Sequence, residues 1–258
     1  MISLKTESEI AIIGQGGKIL SKILGQIVNA IKPGVTTGEL EFLACQLIEE
    51  AGGSPSFKGY RGSPQSKPYP TALCISINDQ VVHAPALPSR DIVSGDIVSI
   101  DIGMKYPKTK GLFTDMAITV PVGRIDKDAQ KLIDVTKKSL ELAIRKSEPG
   151  NSVYEIGRIV EDYVTSHGFS VVRDLVGHGV GHAVHEEPQI PNFPVEANKK
   201  VILKPGMVIA IEPMVNMGRY EVITGPDGMS IDTADGSLSA HFEHTIAITD
   251  KGPVVLTK

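Results

Sequence analysis

The chain has 258 residues, 41% hydrophobic and 22% charged, with 26 Lys and Arg against 30 Asp and Glu. Its net charge of −4 argues against a dominant nucleic-acid surface, and no apolar run approaches the ~18 residues of a membrane span. Two cysteines, Cys45 and Cys74, exclude a disulfide framework; with no apolar signal-peptide core at the N-terminus, they point to a reduced, cytoplasmic protein.

Thr6-x-x-Glu9 predicts a capping box that opens a long helix. Ile13, Leu20, Leu24, Ile27 and Ile31 follow at helical spacing, and Pro33-Gly34 stops the run. Thr36-x-x-Glu39 opens a second helix that ends at Gly52-Gly53. Lys67-Pro68-Tyr69-Pro70 reads as a loop. Leu73–Asn78, Ile97–Met104 and Met116–Val122 are β-branched runs bounded by turns and read as strands, with a hairpin turn through Tyr106–Gly111. A third helix is expected from about Asp128 to Lys146, ending at Pro149-Gly150. Ser152-x-x-Glu155 is expected to cap a fourth, which stops near Gly168. Further strands are expected at Val171–Val176, Val208–Val215, His244–Thr249 and Val254–Thr257.

The two halves share one design. Gly34 and Gly150, Thr36 and Ser152, Glu39 and Glu155, and Gly52 and Gly168 are each 116 residues apart. The expectation is a single catalytic domain over 1–258 with halves of roughly 1–123 and 124–258. Strands that do not alternate with helices imply an α+β fold, with a mainly antiparallel sheet covered by helices. A site is expected where the halves meet.

Residues 177–188 place His178, His182 and His185 within eight positions, among glycines. Imidazole is a common metal ligand and proton shuttle. Four carboxylates sit inside apolar strands: Asp101 between isoleucines, Asp115, Glu212 and Glu243. One such residue is ordinarily a strand-end acid facing water. Four beside a histidine cluster require neutralising cations. Two divalent ions balance four carboxylates. Oxygen ligands with an imidazole suit Mn, Fe(II), Co or Zn, and carboxylates can bridge a metal pair.

With these residues in view, the chain resembles the type I methionine aminopeptidases of the pita-bread metallopeptidase family. The resemblance spans nearly the whole length. It rests on Lys32–Leu40, Cys74–Asn78, Gly-His-Gly-x-Gly with His-Glu-Glu-Pro, Ile211–Asn216 and Ser237–Thr245. It implies two pseudo-symmetric α-β halves with a curved sheet around a dinuclear site. It implies Asp101, Asp115, His178, Glu212 and Glu243 as metal ligands, with Asp115 and Glu243 bridging. His83 would lie by the substrate, and His185 would contact the scissile carbonyl or its oxyanion. Glu212 would also shuttle a proton, and Tyr60 and Cys74 would line the methionine pocket. The activity implied is removal of the N-terminal methionine from nascent chains by a metal-activated hydroxide. A cytoplasmic monomer is implied, with transient ribosome contact and no reading of nucleic acid. An Xaa-Pro peptidase of the same fold, or a non-catalytic peptide-binding member, are the competing readings.

Three departures stand out. Asp101 and Asp115 are fourteen apart, where relatives have eleven; the extra residues fall in the Tyr106–Leu112 turn. A second insertion around Ser63–Thr71 leaves Tyr69 as an alternative to Tyr60 in the pocket. The chain has no Trp, and Met229 falls at about the place where relatives carry one. His182 is given no role, and His167, His241 and His244 are expected to be structural.

Overall fold

The structure, a computed structural model, describes residues 2–258. The first half holds α1 (Glu7–Ala30), α2 (Thr37–Glu50), β1 (Ser54–Pro55), β2 (Leu73–Ile77), β3 (Gln80–Val82), β4 (Ile97–Tyr106) and β5 (Leu112–Pro121). The second opens with α3 (Lys127–Lys146) and α4 (Val153–Ser166), followed by β6 (Ser170–Val171), β7 (Gly177–Gly179) and β8 (Glu186–Ile190). A short 3₁₀ turn at Glu196–Lys200 precedes β9 (Val208–Ile211), β10 (Met214–Asn216), β11 (Val222–Thr224) and β12 (Ile231–Thr233). The chain closes with β13 (Ser239–His241), β14 (Glu243–Thr249) and β15 (Gly252–Val255).

Both expected capping boxes of the first half form. The Thr6 hydroxyl accepts the Glu9 amide, and the Glu9 carboxylate accepts the Thr6 amide at 2.8 Å. Thr36 and Glu39 repeat the arrangement. The expected box at Ser152 does not form. Ser152 has the extended cap backbone but no side-chain cap bond, because Glu155 turns to Arg158 and Lys146 instead. Gly34 and Gly150, 116 residues apart, both adopt φ +92, a conformation open to glycine without steric cost. The same backbone turn therefore closes both helix hairpins.

The principal sheet is antiparallel and nine-stranded, ordered β1-β4-β5-β14-β9-β7-β8, with β2 beside β4 and β15 beside β14. Two three-stranded sheets complete the fold: β13-β10-β6 and β11-β12-β3. Two further expectations are corrected. Val208–Val215 is not one strand: it breaks at Glu212-Pro213 into β9 and β10, which enter different sheets. Proline lacks the amide that a continuous ladder needs. Of Val171–Val176, only the start pairs, with β10.

Each helix pair covers its own part of the sheet. α1 and α2 bury Leu20, Ile27, Leu40 and Ile48 against Ile75, Ile100 and Ile102. α3 and α4 bury Leu132, Leu140, Ile156 and Val160 against Ile209, Ile211 and Ile246. In the principal sheet the strands before α3 join those after it through one seam, the β5–β14 pairing, with Glu243 opposite Ala117 and His244 opposite Met116.

Candidate active site

Strand register alone gathers the acids. Side chains opposite one another in a ladder share a face, as do residues two apart on one strand. Cys74 lies opposite Asp101, and Asp101 opposite Ala117. Asp115 lies opposite Gly103 on the same ladder, two residues from Ala117. Glu243 is opposite Ala117 across the seam. Thr245 and His178 both oppose Ala210, two residues before Glu212. One face of one sheet thus carries Cys74, Asp101, Asp115, His178 and Glu243, with Glu212 just beyond the end of β9.

The side chains converge at the floor of a cavity of about 690 Å³, together with His83, His185, Tyr60 and Tyr69. Ligand-capable atoms of Asp115, His178 and Glu243 all lie within 4.8 Å of one another. His178 Nε2 is 3.4 Å from Glu212 Oε1 and 3.6 Å from Asp115 Oδ2. Its Nδ1 is 2.9 Å from the Gly179 carbonyl. Donation there leaves the Nε2 lone pair facing the acids, the usual orientation of a metal-binding imidazole. Burial holds His178 down at about 4, so it is neutral at pH 7.

The glycines flanking His178 serve close packing. A Cβ on Gly177 would lie 2.4 Å from the Ala210 carbonyl oxygen, and one on Gly179 would lie 2.4 Å from that of Glu187.

The acids are in an environment hostile to charge. Burial pushes Asp115 up to about 6. Burial first, and neighbouring carboxylates second, raise Asp101, Glu212 and Glu243 well above the carboxylate range. Among the described residues no Lys or Arg pairs with any of the four. Asp101 Oδ1 is buried without a partner. Buried carboxylates in this state either stay protonated or take a cation. Four of them with a neutral imidazole are an oxygen-rich donor set that fits divalent metal.

Around this floor, His185 Nδ1 is 2.7 Å from the Tyr60 hydroxyl, and its ring stands edge-on to His178 at 4.4 Å. Burial, then proximity to His178, lowers His185 to about 4. His83 opens onto the cavity from a left-handed backbone, φ 57. Surrounding protein keeps it below the ordinary imidazole range. Tyr60 and Tyr69 both line the cavity. Ser66, Lys67 and Met229 line it as well. Cys74 packs with Phe57, Tyr60 and Tyr69.

Two contacts go beyond the sequence reading, which expected His241 to be structural. His241 is buried beside the acids, its Nε2 3.8 Å from Glu212 Oε2 and both ring nitrogens unpartnered. Lys5 is buried against Glu186. No local pattern marks the Lys5 contact, since Lys5 and Glu186 are 181 residues apart. His182, given no role, bonds the N-terminal segment through Ser3 and Glu9.

Residues 11–250 match the model of metallopeptidase family M24. The chain is 46% identical to the methionine aminopeptidase of Clostridium perfringens, over 100% of this chain and 99% of that protein. It is 44% identical to methionine aminopeptidase 1 of Bacillus subtilis, over the full length of both. The crystal structure of the methionine aminopeptidase from Thermotoga maritima superposes with a TM-score of 0.93 at 41% identity, covering 100% of each chain. The fold is the pita-bread fold of these proteins.

Proposed function

The chain belongs to metallopeptidase family M24, and from that premise we propose that it removes the N-terminal methionine from nascent polypeptides by hydrolysing the first peptide bond. One observation carries the reading. Four carboxylates, Asp115 and Glu243 buried and Asp101 and Glu212 half-buried, line a substrate-sized cavity with a neutral imidazole, in a chain similar over its full length to methionine aminopeptidases.

Asp101, Asp115, His178, Glu212 and Glu243 would hold two divalent ions, Mn, Fe(II), Co or Zn. When bound, such ions supply Lewis acidity and make a water acidic enough to ionise near neutral pH. The protein's own groups do the rest. His185 is neutral, so it can stabilise an oxyanion only by donating from Nε2. That tautomer requires Nδ1 to accept, and the Tyr60 hydroxyl at 2.7 Å is placed to donate to it. Glu212, at the end of β9 and 3.4 Å from His178, is the proton carrier between water and leaving amine. His83, fixed on its strained turn, faces the substrate backbone. Tyr60 and Cys74, with Phe57 and Met229, form an aromatic and sulfur-rich wall suited to a thioether.

We read residues 1–258 as one catalytic unit whose halves, roughly 1–123 and 124–258, meet at this site. In the same reading the protein works as a cytoplasmic monomer in transient contact with ribosomes. Within the described residues no helix is long and apolar enough to cross a membrane. The test is release from Met-Ala-Ser and Ala-Pro-Ala, with and without chelator. Chelator-sensitive release of methionine alone is expected. Release from Ala-Pro-Ala alone would establish an Xaa-Pro peptidase instead, and no release by metal-loaded protein would refute enzymatic activity.

A further inference from the structure

The turn that presents His185 is held by a strap from the opposite end of the chain. Glu186 is the centre of the contact. Its Oε1 accepts the backbone amides of His182 at 2.5 Å and Ala183 at 2.8 Å, closing the turn from within. Its Oε2 accepts Lys5 Nζ at 2.5 Å. The Lys5 side chain is 1% exposed and that of Glu186 is 11% exposed, so this pair is shielded from water. Breaking such a pair strands a buried charge, which is far more costly than losing a surface contact.

The strap is anchored on both sides of Lys5. The Lys5 amide donates to the Gly206 carbonyl at 2.7 Å, just before β9. Downstream, Glu9 Oε1 meets His182 Nε2 at 2.7 Å, and upstream the Ser3 hydroxyl meets His182 Nδ1 at 3.0 Å. Packing is tight: a Cβ on Gly181 would lie 2.7 Å from Lys5 Cε. Three contacts from the N-terminal segment thus converge on residues 182–186. Each immobilises the peptide on which His185 stands, between its Tyr60 partner and the acid cluster.

We propose that Lys5, acting through Glu186, is a positioning residue that sets the placement of His185 for oxyanion stabilisation. The inference rests on the role assigned above to His185. An oxyanion donor serves only if it lies where charge develops in the transition state. A displacement of about 1 Å can cost on the order of 100-fold in rate. A strap that leaves part of the turn intact when cut should cost less, about tenfold.

The experiment is a double-mutant cycle of K5M with H185A, on metal-loaded full-length protein, reading kcat and KM separately. H185A alone is expected to lower kcat about 100-fold or more. K5M is expected to lower kcat about tenfold in the wild-type background, with KM changed less than about twofold. In the H185A background it should lower kcat by less than about twofold. Amide exchange of the same proteins supplies the second readout. K5M should speed exchange at His182 and Ala183 and leave Val208–Ile211 unchanged. Equal kcat losses in both backgrounds, or unaltered exchange at His182 and Ala183, would overturn the strap. H185A that keeps wild-type kcat would instead overturn the oxyanion role of His185, while the exchange data still judge the strap. If K5M fails to fold, E186Q takes its place in the cycle, with the same expectations.

Discussion

Replacing Asp115 with Asn separates what the carboxylate costs the fold from what it contributes to the site. Asp115 is 3% exposed, and burial raises its carboxyl from 3.8 to about 6. The sign follows from linkage. A raised folded pKa means that the protonated form's stability is fully present below about 3.8 and is lost as pH rises through about 6. At pH 7.5 the metal-free protein therefore carries a penalty of about 3 kcal/mol from this one group. Asn removes the charge and keeps Oδ1 as acceptor for the Thr245 hydroxyl at 3.0 Å. Metal-free D115N should thus melt above wild type at pH 7.5, by about 6–12 °C for a chain of this size. The gap should close toward pH 4. Saturating Mn should reverse the order: wild type gains stability, by ~4.1 kcal/mol at metal ~1,000-fold above Kd, and D115N gains much less. Turnover of Met-Ala-Ser by D115N should fall by more than ~100-fold, since even partners of metal ligands cost ~10–100-fold. Melting curves at both pH values, with EDTA or Mn, and a methionine-release assay check the chain of reasoning. A D115N protein that melts with wild type when metal-free at pH 7.5 would refute the desolvation argument. Retained turnover would mean that the metal ligand lies elsewhere than Asp115.

Tyr60→Phe removes the donor to His185 Nδ1 and leaves the aromatic wall. It should lower kcat about tenfold and alter KM little, and a matching rise in KM would assign Tyr60 to substrate binding alone. His83→Ala should cost activity and, because its backbone is left-handed, an added ~1 kcal/mol of stability. His83→Asn should lose the activity but melt closer to wild type, since Asn tolerates that region; equal melting of the two variants would discount the strain. Gly179→Ala drives a methyl toward the Glu187 carbonyl. It should cost about 1–3 kcal/mol and weaken metal binding by shifting His178, as read by melting and metal titration. An unchanged metal affinity would show that the glycines are not needed to seat the imidazole.

How much of this was legible in the chain depends on the range over which each signal acts. The Thr6 and Thr36 boxes span four residues, and both form. The Ser152 box has the same spacing, yet Glu155 is drawn off by Arg158 and Lys146, a competition that the spacing does not encode. Asp101 could be singled out because a carboxylate between isoleucines on an alternating strand is unfavourable unless compensated. The Val208–Val215 run looked like one strand because its apolar pattern continues past Pro213, and hydropathy does not record the missing amide.

Local patterns by themselves determined the helix pairs, their 116-residue repeat and the acids that had no business on apolar strands. They did so because caps, periodicity and burial of charge act within a few residues. Only the tertiary structure decided that Asp101, Asp115, His178 and Glu243 share one face. That outcome follows from ladder register across strands far apart in sequence, and above all from the Glu243–Ala117 pairing at the seam. The same holds for Tyr60 behind His185, His241 beside Glu212, and Lys5 beneath Glu186. Each is a contact between side chains whose separation along the chain leaves no trace in local composition. Each was set by the tertiary packing of segments that are not neighbours along the chain.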